Sequence, residues 1–147
     1  MLKRKVLEPV RLVLPFDSAI DHGRSDYDAY KSTWDTKHLV YVEGGQPSVF
    51  VINQLTHRQR QRVANVEHIA DRASLAIRYG LISVENYAIE KPDGSVVFLE
   101  QPRRTHHGDL GECITEDWME QARFLTDELV TIGGAIMSIS EARAPLS

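Results

Sequence analysis

Leu129 to Ser140 read LVTIGGAIMSIS, the last apolar run of the chain, and two adjacent glycines interrupt it. An apolar stripe with steps of four and three residues passes Gly133 and Gly134 without losing its phase. This period indicates a helix, so we expect one long final helix that contains both glycines. The stripe consists of Trp118, Ala122, Leu125, Leu129, Ile132, Ile136 and Ile139.

Two explanations account for the glycines, each of which costs a helix about 1 kcal/mol relative to alanine. Either the helix kinks or ends there, or the missing side chains let another backbone approach closely. Met119, Val130 and Met137 form a second apolar strip beside the main stripe, which is more apolar surface than a small domain needs for its own core. We therefore predict a contact with another subunit through this strip and through Gly133 and Gly134.

Size and composition favour a soluble protein of one domain. The chain has 147 residues, a net charge of −4, and ordinary hydrophobic and charged fractions of 42% and 26%. Cys113 is the only cysteine, which excludes an intrachain disulfide and favours a reducing compartment. The run around Gly133 is shorter than the roughly 20 residues of a spanning helix. We expect no membrane partner.

The first residues, MLKRKVLEPVRLVLPF, combine a basic start with apolar residues, as a signal peptide does. Charged residues and prolines interrupt the apolar part, so we expect no signal peptide. The interrupting residues are Glu8, Pro9, Arg11 and Pro15.

Capping residues indicate where the helices begin. Thr56 and Gln59 form a capping box ahead of an apolar stripe, which predicts a long helix to about Tyr79. Ser25 caps a short helix over SDYDAYKSTWD, and Thr115 caps the final helix.

Two β-hairpins are predicted between these helices. Residues 38–55, HLVYVEGGQPSVFVINQL, contain two β-rich runs around a glycine turn. LISVENYAIE and SVVFLEQ flank KPDG, in which Pro92 fixes φ and Gly94 takes the left-handed position. Residues 102–113 are predicted to be a loop.

The resulting fold is α+β, with two β-hairpins forming a small antiparallel sheet packed against two long helices. We expect an extended N-terminal arm over residues 1–24, a single domain over 25–140 and a C-terminal tail over 141–147. The predicted core contains Val40, Val42, Val49, Val51, Val66, Ala70, Ile77, Val84, Val97, Leu99, Leu125, Leu129 and Ile136.

No catalytic motif is recognisable, and we expect no catalytic residue, cofactor or bound metal. Two polar stretches leave an alternative open. HHGDLGEC places His106 and His107 near Cys113 and two acids, which are zinc ligand types, although adjacent histidines in a loop usually face water. DHGRSD holds Asp21 and His22, which would need a pocket to act as acid and base.

Arg58, Arg60 and Arg62 lie in the first turns of the helix that follows Thr56, where the helix dipole disfavours cations. They form either a solvated face or a contact for an acidic partner, and we include Arg58 and Arg62 among the predicted contact residues. Carboxylates of the final helix, in this or a neighbouring subunit, would suit them. Nucleic acid is not expected as a partner, because the chain is acidic and no aromatic residues are interleaved.

The order of these elements resembles the small tail-morphogenesis proteins of tailed bacteriophages, the tail assembly chaperone group. The matching positions are Leu55 and Thr56, the segment 80–87, Asp93 with Gly94, and the closing helix. The resemblance covers about residues 38–140, and the N-terminal arm lies outside it. It implies a binding role without catalysis.

Three functions remain. The first is a non-enzymatic structural component of a tailed-phage particle, in the tail, neck or capsid, that forms a homo-oligomer or binds other virion proteins. Such a protein is assembled in the host cytoplasm and resides in the virion. The second is a tail assembly chaperone that is not retained in the virion. The third is a small metal- or ligand-binding domain.

Overall fold

The computed structural model describes Met1 and residues 8–142 and has an α+β architecture, as the sequence predicts. Residues 2–7 and 143–147, which belong to the predicted arm and tail, lie outside the described residues. The helices are α1 (Tyr27–Thr33), α2 (His57–Ala64), α3 (Ile69–Gly80), α4 (Glu116–Ala122) and α5 (Thr126–Ala142). The strands are β1 (Val10–Leu12), β2 (Val49–Ile52), β3 (Leu81–Glu85), β4 (Ala88–Glu90), β5 (Val96–Phe98), β6 (Arg104–His106) and β7 (Glu112–Ile114).

The central sheet has three antiparallel strands in the order β1–β2–β3. Leu12 of β1 stands opposite Phe50 of β2, and Phe50 stands opposite Val84 of β3. These three side chains are buried, and so is Ile20, which follows β1 in the chain. Residues between 12 and 20 therefore contribute buried side chains to the core of the domain, with β1 as the extended portion of this segment.

The hairpin predicted for residues 38–55 is wrong, because only its second half forms a strand, β2. The backbone of the first half is bonded to the N-terminal segment instead. The hydroxyl oxygen of Ser25 accepts a hydrogen bond from the Val40 amide at 2.9 Å, and the Ala19 carbonyl accepts one from the Val42 amide at 2.8 Å. Since these amides are already bonded, they are not available to β2. Val42, predicted to lie in the core, is exposed.

The second predicted hairpin is present around KPDG. β4 and β5 pair antiparallel with Ile89 opposite Val97, and Gly94 has a φ of 84° in the turn. The chain bends between β3 and β4 at Asn86, whose φ is 56°. This bend separates the hairpin from the central sheet. As a result Val97, which we expected in the core, is 45% exposed.

A third hairpin occupies the region that the sequence predicts as a loop. β6 and β7 pair antiparallel, with Arg104 opposite Ile114. Gly108 and Gly111 have φ values of 55° and 85° in the connecting turn. Positive φ favours glycine, so these two residues are the signal for a hairpin in this stretch.

The helix predicted from Thr56 to Tyr79 is divided into α2 and α3. Its capping box is present, with the Thr56 and Gln59 side chains each bonded to the other's backbone amide. At the break, the Val66 carbonyl accepts a hydrogen bond from Nε of Arg72 at 3.1 Å. This side-chain bond satisfies a carbonyl that no helical amide reaches, which stabilises the break.

The final helix is divided as well, into α4 and α5. Arg123 adopts a left-handed conformation with a φ of 50° and ends α4. A carboxylate oxygen of Glu128 accepts a hydrogen bond from the Leu125 amide at 2.7 Å and caps the start of α5. Leu125, which belongs to the predicted core stripe, lies in this link and is 69% exposed. α5 then continues to Ala142, past the predicted boundary at residue 140.

The core lies between the central sheet and helices α3, α4 and α5. Three of the predicted core residues, Ile77, Val84 and Ile136, are buried there. Gly133 and Gly134 both lie within α5, as the phase of the apolar stripe predicts. The remaining predicted core residues are partly covered: Val40, Val49, Val51, Val66, Ala70, Leu99 and Leu129.

Candidate interaction surfaces

Gly133 marks a close approach between α3 and α5. A Cβ atom placed on Gly133 would lie 2.7 Å from the Cα atom of Ala73 and 2.8 Å from its carbonyl oxygen. Nothing larger than glycine fits against a backbone at such distances. Close packing therefore explains Gly133, and the backbone that approaches it belongs to the same chain.

Gly134 has no comparable neighbour. A Cβ atom there would meet nothing within 4 Å, and the residue is exposed. Alanine would favour the helix at this position by about 1 kcal/mol. Packing among the described residues thus does not require this glycine.

An open apolar groove of about 270 Å³ lies between α3 and α5. Ile69, the first residue of α3, lines it and is 65% exposed. Arg72 and Glu141 supply its charged groups. Four of the predicted contact residues line this groove: Val130, Gly133, Gly134 and Met137.

The other three predicted contact residues lie outside this groove. Arg58, on α2, forms an ion pair with Asp109, rather than with a carboxylate of α5. Arg62 lies on the same helix and is exposed. Met119, on α4, is partly buried against the core. A contact of any of these residues with a partner stays a prediction.

The hairpin of β4 and β5 exposes apolar side chains that sequence reasoning missed. Val96, Val97 and Phe98 are consecutive, and they are 56%, 45% and 64% exposed. An isolated two-stranded hairpin is marginally stable in water, and exposed clusters of large apolar residues mark contact sites. The signal in the sequence is the run VVF, because a strand with one face in water would alternate apolar and polar residues.

The base of this hairpin is anchored by an aromatic cluster. The ring of Tyr87 lies with its centroid 5.7 Å from Phe50 and 5.5 Å from Phe124. Burial raises the pKa of Tyr87 to about 12, and the nearby carboxylate of Glu128 adds to the rise. The hairpin is therefore fixed at its base, while β5 itself is exposed.

A cleft of about 780 Å³ separates the hairpin from α4. Ile89 and Val97 form part of its wall on the hairpin side. The other wall is polar and carries charges of both signs. These polar residues are Arg103, Asp117, Glu120, Gln121 and Arg123. The mixture of charges does not favour a ligand of either sign.

The central sheet, unlike the hairpin, has an occupied outer edge at β3. The side-chain amide of Gln101 accepts a hydrogen bond from the Val84 amide at 3.0 Å and donates one to the Val84 carbonyl at 2.6 Å. The guanidinium of Arg104 donates to the Leu81 carbonyl. These side chains occupy positions that an additional strand would need.

The candidate zinc stretch has structural contacts. The hydroxyl of Tyr79 lies 2.8 Å from Nδ1 of His107, and the two rings stack. Nη2 of Arg78 lies 3.7 Å from the sulfur of the buried Cys113. Within the described part of the chain, no group of three or more histidine, cysteine or acidic side chains is arranged to hold a metal ion.

In DHGRSD, two acids cap the backbone. Asp21 accepts a hydrogen bond from the Gly23 amide at 3.1 Å, and Asp26 caps α1 through the Ala29 amide at 3.1 Å. His22 contacts the hydroxyl of Tyr27. No hydrogen bond or ion pair among residues 8–142 joins this stretch to the histidines of β6 and its turn.

Across residues 8–142, no helix has the length and apolar character needed to cross a bilayer. No protein-family model matches the chain, and neither a curated protein nor a solved structure matches it.

Proposed function

We propose that this protein is a non-enzymatic structural component of a tailed-bacteriophage particle and acts through subunit contacts. The observation that carries the proposal is the run of exposed apolar residues on β5, Val96 to Phe98. Soluble proteins rarely leave such residues together in water, and a subunit of an assembly would cover them with a neighbour. The groove between α3 and α5, with Ile69 and Val130, offers a second contact.

The resemblance to tail-morphogenesis proteins supplies the class of assembly. Thr56 caps α2 directly after Leu55, Gly94 takes a positive φ in the hairpin turn, and α5 follows every other described element. These three features fit the order that the resemblance implies, whereas the hairpin that precedes Leu55 in that order is absent and the closing helix is divided into α4 and α5. The partners are further copies of this chain or other virion proteins, and the site of assembly is the host cytoplasm.

A tail assembly chaperone is the second candidate. The open hairpin favours it too, because an exposed strand and an apolar face can hold another chain during assembly. A chaperone leaves the particle when assembly is complete, whereas a structural component stays. The two candidates therefore differ in where the protein is found at the end of assembly.

Mass spectrometry of purified particles of the phage that encodes this chain tests the proposal. We expect the protein in finished particles, in multiple copies. Its absence from particles, together with co-purification of unassembled tail proteins, would identify a chaperone. A chain that is absent from particles and sediments as a monomer without partners would contradict both candidates.

A further inference from the structure

We propose that the outer edge of β5 pairs with β5 of a second copy of the chain, antiparallel and around a two-fold axis at Val97. The product is a four-stranded sheet with the order β4–β5–β5–β4. This inference rests on the proposed role in subunit contacts and assigns one such contact to a strand.

The outward backbone groups of β5 are identified by its pairing with β4. The Lys91 amide donates to the Ser95 carbonyl at 2.8 Å, and the Leu99 amide donates to the Tyr87 carbonyl at 2.9 Å. Hydrogen-bonded pairs alternate with non-bonded pairs in an antiparallel ladder. The backbone amide and carbonyl of Val97 therefore point toward β4, while those of Val96 and Phe98 point outward.

These outward groups belong to Val96 and Phe98 and are free. No residue in the described ranges donates to them or accepts from them. Their side chains are also exposed, and β5 pairs with no strand other than β4 among the described residues. The β3 edge, which Gln101 occupies, shows that the same chain can close an edge where no partner is needed.

Charge distinguishes the two edges of the hairpin. Ser95 to Leu99 contain no charged residue and no proline, which are the usual protections of an exposed edge. The outward residues of β4 are Ala88 and Glu90, and the carboxylate of Glu90 protects that side. β5 is therefore the edge available for pairing.

Self-pairing fits the sequence of β5. With the axis at Val97, Phe98 of each copy stands opposite Val96 of the other, on the face of the strand opposite to the Val97 side chain. Aromatic and β-branched residues are favourable cross-strand partners. The two copies of Glu90 fall on the outer strands, at least about 14 Å apart at 4.7–4.9 Å per strand, where salt screens their repulsion.

The contact is small. A stable interface buries about 800 Å² on each partner, and a three-residue strand edge supplies only part of that. We expect the isolated chain to be a monomer at low concentration and to dimerise as its concentration rises. In an assembly, further contacts such as the groove between α3 and α5 would add to it.

Disulfide trapping with Val97→Cys tests the register. Directly opposed, non-bonded residues of antiparallel strands have Cα atoms about 4.5 Å apart, within the range of a disulfide. Under mild oxidation at high protein concentration, we expect a covalent dimer of Val97→Cys. Ile89→Cys is the matched control, because it lies on the same face of the same hairpin but one strand further out. We expect its yield of dimer to be at least tenfold lower. The wild-type chain controls for Cys113, which is buried.

Sedimentation of the wild-type chain over the same concentrations separates this inference from the proposed function. Equal trapping at both positions, or none at Val97→Cys while the wild type still associates, would overturn the pairing of β5 and leave a role in subunit contacts intact. A wild-type chain that stays monomeric at all concentrations overturns the self-pairing. Its presence in particles would then still support the proposed function. Phe98→Lys should abolish both the association and the trapping, because it places a charge opposite Val96 of the second copy.

Discussion

Helix α5 and the hairpin of β4 and β5 both carry apolar residues, but the chain covers them to very different degrees. α5 packs so closely on α3 that no side chain fits at position 133, which is occupied by Gly133. In β5, by contrast, Phe98 is 64% exposed. The core determines which residue fits at a packed position such as 133, whereas packing within the chain does not explain an exposed apolar residue such as Phe98. The same contrast between a packed and an exposed position occurs at two adjacent residues of α5, because Gly133 is buried while Gly134 faces open space.

The largest effect is expected at the helix crossing. Gly133→Ala would push a methyl group against the backbone of Ala73, and overpacking of this kind costs about 3 kcal/mol. We expect the free energy of unfolding, measured by urea denaturation, to fall by this amount. A variant as stable as the wild type would show that α3 and α5 are not in close contact.

A hydrogen bond at the end of α5 should have the next largest effect. The buried hydroxyl of Ser140 accepts from the Leu55 amide at 2.8 Å and donates to the Ile136 carbonyl at 2.6 Å. Ser140→Ala leaves a buried amide without a partner, at a cost of about 2 kcal/mol. Ser138→Ala, at an exposed position of the same helix, should leave the midpoint of thermal unfolding almost unchanged. Equal shifts for the two variants would contradict the role of Ser140.

Gly134→Ala should act in the opposite direction to Gly133→Ala. The new methyl group meets no atom, and the helix gains about 1 kcal/mol from the higher propensity of alanine. The free energies of unfolding of Gly133→Ala and Gly134→Ala, measured by urea denaturation under the same conditions, test whether the two positions differ in packing. If Gly134→Ala were stabilising yet prevented association at high concentration, the glycine would be explained by a partner at the groove.

The smallest effect on stability is expected on the hairpin. Phe98→Ala should change the free energy of unfolding by no more than about 0.5 kcal/mol, because the ring is already largely in water. Phe50→Ala is the matched control, since the same change is made at a fully buried ring. We expect Phe98→Ala to reduce association in sedimentation experiments while the monomer stays folded. A large loss of stability would mean that the hairpin is covered by its own chain.

The sequence predicts the local features of this fold well. The phase of the apolar stripe places Gly133 and Gly134 inside α5, and KPDG locates the hairpin of β4 and β5. The caps at Thr56 and Thr115 are present in the structure, whereas Asp26 caps α1 in place of the predicted Ser25. Each of these signals depends on a few neighbouring residues, and local chemistry decides them.

Long-range pairing is what the sequence does not reveal. β1 pairs with β2 through contacts about forty positions apart, such as Leu12 with Phe50, and no local pattern specifies that choice. The break after α4 depends on a left-handed conformation at Arg123, a residue type that carries no signal for it. The apolar run of β5 predicts a strand, but it does not say whether the core or a partner covers it.

The same limit applies to the candidate contacts. Helical spacing predicts Val130 and Met137 as contact residues, but it identifies only the face of the helix and not what lies against it. Strand alternation does not identify Val96 and Phe98 as a contact, because it predicts that Val97 and Leu99 of the same strand face the core. The bend at Asn86, which separates the hairpin from the central sheet, decides that this strand is exposed and not covered by the core.

The bond between Leu55 and Ser140 joins positions 85 residues apart, and it has a consequence for how the protein is made. α5 leaves the ribosome after every other described element, so the apolar side of α3 around Ile77 stays uncovered until translation has passed it. Contacts of such long range slow folding and lengthen the exposure of nascent apolar surface. We expect general chaperones of the cell to engage the growing chain during this interval, and chains that stop before α5 to be degraded.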